Sequence, residues 1–559
     1  MNTLYNRFVI VLFLTMPAIC IKAHNAPFRI NGISPYYDSL TNSYLMSVDE
    51  KVWNHNWNAS ISLSDDSSWN SFTIDGTPVS ESYTFTDVCG EKSYELIAES
   101  DGKQDTCTLH FTFLPIIYLG NANLGYNYVT SSFALQHQGK QEESVMAEVK
   151  WRGGTTNSAG KNKRNYKVKL VDNQGSKLEK SFLGLRKDNV WILDAGQVDM
   201  FRMRNLIACQ IWQDFASKPY YYDREPKVMS ATRGQMVEVF LGNKYQGIFN
   251  MCEPIDRKEM KLKKFDDDGT IHGGLWKATG FGDATFWNVP DAYDNTKEQN
   301  DVWELKYPKI DDLCPSDYAT LWNAIMFVAT SSDAEFNAHV AEYFDMPVLI
   351  DYYLFVQLTN GFDICGKNVY WAVYDKQTDK KLTPAMWDLD CTMGQNYKDD
   401  PLRPDYVAPE NPLYTPNKIF YRLANLNTDN FNDKIKQRYA VLRDGVFDPD
   451  ALKRRYADVY SALQASGAVA REERRWSYDT DISGLQLNFE EELDYICDWI
   501  DRRIQFLDTQ FAFTPPTAIQ SVQYTQKPAD GKVYTLQGTI VQKSYKGVVI
   551  SNGRLEVRY

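Results

Sequence analysis

The sequence has little histidine, little cysteine and no excess of positive charge, and each shortage argues against a class of site or partner. Only six of the 559 residues are histidine, and there is no Cys-x-x-Cys or His-rich cluster, so a zinc or histidine-based metal site is not expected. A net charge of −13 argues against nucleic acid as a partner, because nucleic acid binds clustered Lys and Arg. Nine cysteines are too few for a disulfide scaffold, although Cys89 and Cys107, on consecutive strand-like segments, are candidates to pair.

Long hydrophobic runs are also missing, except for one at the N-terminus. Arg7 precedes an apolar run from Phe8 to Ile21, and Ala23 offers a cleavage point after it. The run is shorter than the ~20 residues of a spanning helix, so residues 1–23 are predicted to be a signal peptide. We therefore expect a secreted, periplasmic or cell-surface protein that does not span a membrane. Lipidation of Cys20 is the alternative, although the preceding residues make a poor lipobox.

Hydrophobic periodicity divides the rest of the chain into parts and predicts an α+β fold. Short alternating segments such as SYLMSV and TCTLHFTFL predict an accessory β-sandwich over residues 24–115. Strand and helix patterns mix over about 116–310, and helical patterns dominate over about 311–511. After the prolines of TPPT, residues 518–559 are predicted to form a small C-terminal β module.

Acidic and amide residues are concentrated in a β-like segment, residues 362–394, that lies among the predicted helices. Asp363 and Asn368 have the Asp-x-x-x-x-Asn spacing of the protein-kinase catalytic loop, where the Asp accepts the hydroxyl proton and the Asn holds a metal ion. Asp388 and Asp390 follow a predicted hairpin, and carboxylate, amide and phosphate oxygens suit Mg²⁺. The alternative is ordinary turn chemistry for the first pair and a solvated strand end for the second.

A basic hairpin lies upstream, in the segment KWRGGTTNSAGKNKRNYKVKL. Gly153 and Gly154 lie in the turn between its strands, where backbone N–H groups can approach phosphates. Lys167 and Lys169 share one face of the returning strand, so either can reach inward to neutralise phosphate charge. The basic residues within 161–164 either widen an anion-binding pocket or form a solvated turn, and a solvated turn is also the ordinary interpretation of the whole hairpin.

Six segments occur in a specific order over roughly residues 120–510: RGG with KNKRNYKVKL, WILDAGQVDMFRMRN, VEVFLGNKYQGIFNMCEPIDR, ELKYP, NGFDICGKNVYWAVYD and MWDLDCTMG. This order resembles the spore-coat-protein-H-like (CotH) kinase family. The resemblance implies a divergent bilobal protein-kinase-like core over 116–511, with an N-lobe to about residue 310 and a helical C-lobe after it. It also implies a secreted or surface transferase that moves phosphate from ATP, with Mg²⁺ or Mn²⁺, to Ser or Thr of a protein acceptor.

The same resemblance implies roles for individual residues. Asp363 would be the catalytic acid, and Lys167 or Lys169 would contact phosphate beside Gly153 and Gly154. Asn368 and Asp388, with Asp390 beside it, would be the metal ligands. Glu253 would contact adenine or ribose. A further family motif, with an implied structural role, matches Asp199, Arg204 and Asn205. The sequence departs from the family where RGGTTNS replaces the usual Arg-Gly-Asn-Ser and where the predicted helix has no obvious Glu to pair with the lysine.

The C-terminal segment VYTLQGTIVQKSYKGVVISNGRLEVRY resembles the sorting modules of secreted Bacteroidetes proteins, which implies export or surface attachment. Two other classes remain open: a non-catalytic surface adhesin with a kinase-like fold, and a carbohydrate-associated protein whose Trp- and Tyr-rich N-terminal domain binds sugars. A glycosidase needs two carboxylates ~5–10 Å apart across a cleft but requires neither the Asn nor the Gly/Lys hairpin. The kinase-like interpretation uses all of these features.

Overall fold

The fold belongs to the mixed α+β class, as predicted. The computed structural model describes residues 26–65, 67–154, 156, 162–289, 292–309, 317–395, 417–477, 486–515, 533–535, 540–542, 547–551 and 554–558. The predicted signal peptide and the loop residues Asn157 and Ser158 lie outside these ranges. The chain divides into two compact units, residues 1–507 and 508–559.

The first two sheets pack around one apolar core. Alternation of buried and exposed residues, as in SYELIAES, places one face of each strand in this core, which includes Phe28, Phe85 and Phe111. The three-stranded sheet has the order β1-β4-β7, and the six-stranded sheet has the order β2-β3-β9-β8-β5-β6. The strands are β1 (Phe28–Ile30), β2 (Tyr36–Asp38), β3 (Ser43–Ser47), β4 (Trp57–Leu63), β5 (Ser71–Ile74), β6 (Thr77–Pro78), β7 (Ser82–Phe85), β8 (Ser93–Ser100) and β9 (Lys103–Thr112).

The predicted pairing of Cys89 with Cys107 is wrong, because both are free thiols. Cys107 lies on β9 and faces the shared core, and burial raises the pKa of its thiol to about 11. Cys89 lies in the loop between β7 and β8, where the adjacent Gly90 packs against the backbone of Ser466 and Gly467. The two side chains therefore belong to different surroundings.

The next strands form a closed barrel. They are β10 (Ile116–Leu119), β11 (Val129–His137), β12 (Lys140–Gln141), β13 (Val145–Arg152), β14 (Asn165–Val171), β15 (Val190–Asp194), β16 (Gly234–Leu241) and β17 (Lys244–Cys252). Their order is β10-β16-β17-β15-β14-β13-β11-β12, and β10 also pairs with β11, which closes seven strands into a barrel. On β14 the side chains of Tyr166, Val168 and Leu170 fill the interior, so Lys167 and Lys169 face outward.

A further sheet, which we call the third β layer, packs against the outer face of the barrel. Its strands are β18 (Gly274–Ala278), β19 (Gln299–Asn300), β20 (Trp303–Tyr307), β21 (Val369–Val373) and β22 (Thr383–Met386), in the order β19-β20-β18-β21-β22. Ile192 and Cys252 of the barrel share a core with Leu275, Tyr370 and Trp387. All five residues of β21 are buried, which explains its continuous apolar sequence.

Helices complete the first unit. They are α1 (Arg204–Phe215), α2 (Ala319–Thr330), α3 (Asp333–Tyr343), α4 (Met346–Thr359), α5 (Lys418–Leu426), α6 (Phe431–Arg443), α7 (Pro449–Ala465), α8 (Ala468–Arg475) and α9 (Phe489–Gln510). Ser332 and Glu335 form a capping box at the start of α3, and Pro449 occupies the first turn of α7. Among the described residues, no helix is both long and apolar enough to span a membrane.

The second unit contains a small antiparallel sheet. Its strands have the order β24-β23-β25-β26. They are β23 (Val533–Thr535), β24 (Ile540–Val541), β25 (Gly547–Ser551) and β26 (Arg554–Arg558). Export by this segment is a prediction that the fold leaves open.

Candidate active site

A pocket of about 290 Å³ lies where the turn after β13, strand β18 and the segments that follow α4 and β22 meet. Its lining contains six of the nine predicted site residues: Gly153, Gly154, Asp363, Asn368, Asp388 and Asp390. The other lining residues are Arg152, Thr156, Asn165, Val198, Lys277, Thr279, Lys367, Trp387 and Cys391. The acids and glycines therefore meet although they come from distant parts of the chain.

The turn after α4 orients the carboxylate of Asp363. Helix α4 ends at Asn360, whose φ of 49° lets the chain leave the helix axis, and a short 3-10 helix, Phe362–Cys365, carries Asp363. Lys367 Nζ and Asn368 Nδ2 each donate to Asp363 Oδ2 at 3.1 Å. These two donors fix the carboxylate and leave Oδ1 to accept a hydrogen bond from a substrate.

An asparagine holds the segment with the other two acids. Leu389, buried between Asp388 and Asp390, donates its N–H to Asn205 Oδ1 at 3.0 Å. Asn205 Nδ2 in turn donates to Asp194 Oδ2 at 2.7 Å, at the end of β15. The first turn of α1 therefore ties the acidic segment after β22 to the barrel.

The acids carry negative charge that the protein compensates only in part. Burial, followed by repulsion from Asp388 and Asp194, raises the pKa of Asp390 well above its ordinary value. Burial also raises the pKa of Asp194, which Asp388 raises further. A divalent cation would relieve this repulsion.

The donor atoms fit Mg²⁺ or Mn²⁺. Asp388 and Asp390 offer carboxylate oxygens, and Asn368, which gives its Nδ2 to Asp363, has Oδ1 left as a ligand. Within the described ranges, no group of three or more His, Cys, Asp and Glu is arranged to hold a metal. Phosphate and water oxygens would therefore complete the shell, as is usual for Mg²⁺ at nucleotide sites.

Cations that we did not predict from the sequence also line the pocket. Lys277 lies on β18, and burial lowers its pKa to about 8, an effect that Asp388 opposes and Arg152 and Lys306 reinforce. The Arg152 guanidinium stacks over the Trp387 ring with 5.1 Å to the ring centroid. One sequence signal was present for each: Lys277 is the only charge in the apolar strand GLWKA, and Arg152 directly precedes the two glycines.

The two predicted lysines have different surroundings, and neither lines the pocket. Lys167 lies on the outer face of β14, where burial, then Lys309, Lys169 and Arg152, lowers its pKa to about 8. The Lys169 ammonium lies farther along the strand, 4.0 Å from the centroid of the Tyr128 ring. Of the two lysines, Lys167 is the one whose pKa is lowered by Arg152, a residue of the pocket.

Glu253 is not brought into the pocket. It is fully buried and accepts hydrogen bonds from Arg233 Nε at 2.9 Å and Arg233 Nη2 at 2.7 Å. The backbone N–H of Arg186 also donates to its carboxylate. These donors occupy the carboxylate, and Glu253 is not among the residues that line the pocket.

Both interpretations of the basic turn are wrong for Lys163. Its side chain is completely buried, and Nζ lies 2.6 Å from Glu472 Oε1 of α8. Lys163 thus neither lines the pocket nor faces solvent. It instead holds the end of the hairpin against the helical region.

Asp199 and Arg204 of the motif before α1 have a structural role. Asp199 accepts the N–H groups of Phe201 and Arg204 at the start of the helix. Arg204 is fully buried and pairs with Asp199 at 2.7 Å and with Glu492 of α9 at 2.6 Å. Both residues therefore fix the orientation of α1, and Asn205 on that helix contacts the acidic segment.

A family model described as CotH kinase protein matches residues 149–507. This match covers more than half of the chain and includes every residue of the pocket, and the protein belongs to the CotH kinase family. No curated protein matches the chain.

Proposed function

We propose that the protein is an atypical protein kinase that transfers the γ-phosphoryl group of ATP to a Ser or Thr hydroxyl of a protein acceptor. The observation that carries this proposal is one pocket that brings Asp363, Asn368 and Asp388 together with two cations, Arg152 and Lys277. Phosphoryl transfer requires few covalent steps from the protein, so positioned acids and cations are the parts that it needs. Membership in the CotH kinase family supports the same function.

The cations of the pocket would hold the phosphates. Lys277 and Arg152 line the pocket, and Lys167, which is near enough to Arg152 for their charges to interact, would add positive potential. Gly153 has a φ of 93°, and a Cβ at this position would lie 2.6 Å from Thr156 Oγ1. Glycine is therefore required where the backbone would pass close to a phosphate.

The acids and Asn368 would hold the metal and the acceptor. Asn368 and Asp388, with Asp390 beside them, would bind Mg²⁺ or Mn²⁺, whose charge offsets that of the phosphate oxygens. Asp363 would orient the acceptor hydroxyl through Oδ1 and accept its proton there, since Oδ2 already receives two N–H donors. The barrel would supply Arg152 and the glycine turn, and the third β layer with the segments beside it would supply Lys277 and the acids, so the site would draw on two parts of the first unit, as in a bilobal, kinase-like core.

The setting of the reaction is part of the proposal. The apolar N-terminal segment and the resemblance of the C-terminal segment to sorting modules favour an exported or surface-attached enzyme. In that setting the acceptor would be another exported protein.

Transfer of label from [γ-³²P]ATP to the protein itself and to Ser- and Thr-containing acceptors tests this function. The wild type should incorporate label with Mg²⁺ or Mn²⁺, and Asp363→Asn should lower the rate about 10²–10⁴-fold, the range for loss of a general base. Asp388→Asn should abolish metal-dependent transfer. The matched control is Asp267→Asn, an exposed acid outside the pocket, which should react as the wild type. Absence of labelling by the wild type with every acceptor would favour a non-catalytic binding protein.

A further inference from the structure

A second pocket, of about 550 Å³, is lined mainly by cations. Seven of its ten lining residues are Lys or Arg, one is Glu225, and the remaining two are Leu262 and Tyr374. We call it the basic pocket. So much positive charge in one place is notable because the whole chain carries a net charge of −13.

The protein neutralises only part of this charge. Arg186, Lys258 and Lys263 each form ion pairs with neighbouring carboxylates. The four other cations have no carboxylate of the described chain within 4.0 Å; they are Lys187, Arg257, Lys261 and Lys264. The three paired cations have five carboxylates as partners, and Glu225 is the one acid in the lining, so the seven cations keep a small net positive charge.

The basic pocket and the candidate active site are connected by one strand. Asn368 of the active site directly precedes β21, and Tyr374 of the basic pocket directly follows it. A strand rises about 3.3 Å per residue, so these six steps separate the two residues by roughly 20 Å. Leu262 of the basic pocket and Trp387 of the active site also belong to the same apolar core, so the spacing is fixed by packing.

We propose that the basic pocket binds an acidic segment of the acceptor protein while its Ser or Thr occupies the active site. This inference rests on the proposed function and adds the class of acceptor. An extended peptide also rises about 3.3 Å per residue, so the acidic segment would lie about six or more residues from the phosphorylated hydroxyl. The exposed lysines of the lining would pair with the carboxylates, and the half-buried Tyr374 would contact the aliphatic parts of the peptide.

Binding of a labelled peptide, measured by fluorescence anisotropy without nucleotide or metal, tests this proposal. The peptide carries a run of five Glu beginning six residues from an Ala that replaces the phosphorylated Ser. The wild type should bind it, and the triple variant Lys187→Gln, Lys261→Gln, Lys264→Gln should bind it roughly tenfold more weakly, since each exposed charge pair contributes modestly. Added salt should weaken wild-type binding.

Two controls separate local charge from net charge and fold. A triple Lys→Gln variant at the exposed residues Lys51, Lys103 and Lys140, which lie outside the basic pocket, should bind the peptide as the wild type does. A peptide with Gln in place of each Glu should bind neither the wild type nor either triple variant. Far-ultraviolet circular dichroism should give the same spectrum for all variants.

The kinetic counterpart uses the same peptide with Ser restored. The basic-pocket variant should show a higher KM for the acidic peptide and an unchanged kcat, because its substitutions leave the active site intact. Since binding is measured without ATP, a protein that binds the peptide but transfers no phosphate would refute the proposed function and not the docking site. Equal binding by the two triple variants, or binding of heparin or polyphosphate without the acidic peptide, would overturn the docking proposal.

Discussion

Replacement of Glu472 by glutamine should destabilise the first unit, because this carboxylate is the centre of a buried ionic network. Its Oε1 lies 2.6 Å from Lys163 Nζ and 3.0 Å from Arg202 Nε, and its Oε2 accepts the N–H of Ile248 at 2.8 Å. The side chains of all three charged residues are at most 2% exposed. Glutamine keeps the shape and one acceptor but removes the charge that compensates two cations.

The size of the loss in free energy of unfolding depends on the partners that each cation keeps. Arg202 retains acceptors, since its Nη1 donates to the backbone oxygens of Gly196 at 2.8 Å and Gln197 at 2.9 Å. Among the described residues, Glu472 is the one carboxylate within 4.0 Å of the Lys163 ammonium, and burial already lowers the pKa of this lysine from 10.5 to about 8. Without Glu472 the pKa of Lys163 should fall further, so that the buried lysine becomes neutral at pH 7. We therefore expect a loss of about 3–5 kcal/mol, as for other broken buried pairs.

Urea denaturation followed by tryptophan fluorescence measures this loss. Glu143→Gln, at an exposed loop position, is the matched control and should change the free energy of unfolding by less than about 0.5 kcal/mol. The deficit of Glu472→Gln should shrink as the pH rises from 7 to 9, because a neutral lysine costs less at higher pH. If Glu472→Gln unfolds at the same urea concentration as the control, the buried network does not stabilise the fold as described.

Three further changes test other parts of the account. His272 bonds to Asp266 at 2.9 Å and to Asp375 at 2.8 Å, and these bonds raise its pKa. Its charged form therefore stabilises the fold fully below pH 6.5 and loses this effect as the pH rises through the raised pKa. The melting temperature of His272→Gln should therefore lie farthest below that of the wild type at pH 5.5 and approach it by pH 8.5. Asn205→Ala should weaken Mg²⁺ binding about 10–100-fold, the usual effect of losing a residue that orients metal ligands, measured by Mg²⁺ titration of nucleotide binding. Asp390→Asn should raise the melting temperature of the metal-free protein at pH 7, because its carboxyl has a raised pKa, and Mg²⁺ should then stabilise the variant less than the wild type.

The acidic side of the site could be predicted because its residues are close in sequence. A helix end, a turn and one hairpin carry Asp363, Asn368, Asp388 and Asp390, so local spacing alone brings them near each other. The glycine turn was recognisable by composition. That it meets the acids depends on packing of the barrel against the third β layer, which no local pattern specifies.

The cationic side could not be predicted in the same way. Lys277 belongs to no motif, and only the pairing of β18 with β21 brings it beside Asn368. Strand alternation correctly put Lys167 and Lys169 on one face, but it could not tell that Lys169 lies over Tyr128. Lys163 shows the same limit, since its partner Glu472 is 309 residues away in the sequence.

Isothermal titration with a non-hydrolysable ATP analogue, with and without Mg²⁺, tests the central claim most directly, because it needs no knowledge of the acceptor. The wild type and the Asp267→Asn control should bind the analogue more tightly with Mg²⁺, whereas Asp388→Asn should lose this metal dependence and Lys277→Met should bind more weakly. Asp363→Asn should bind as the wild type does while losing phosphoryl transfer. Absence of Mg²⁺-dependent binding by the wild type, or identical binding by Asp388→Asn, would contradict the assignment of this pocket as a metal–nucleotide site.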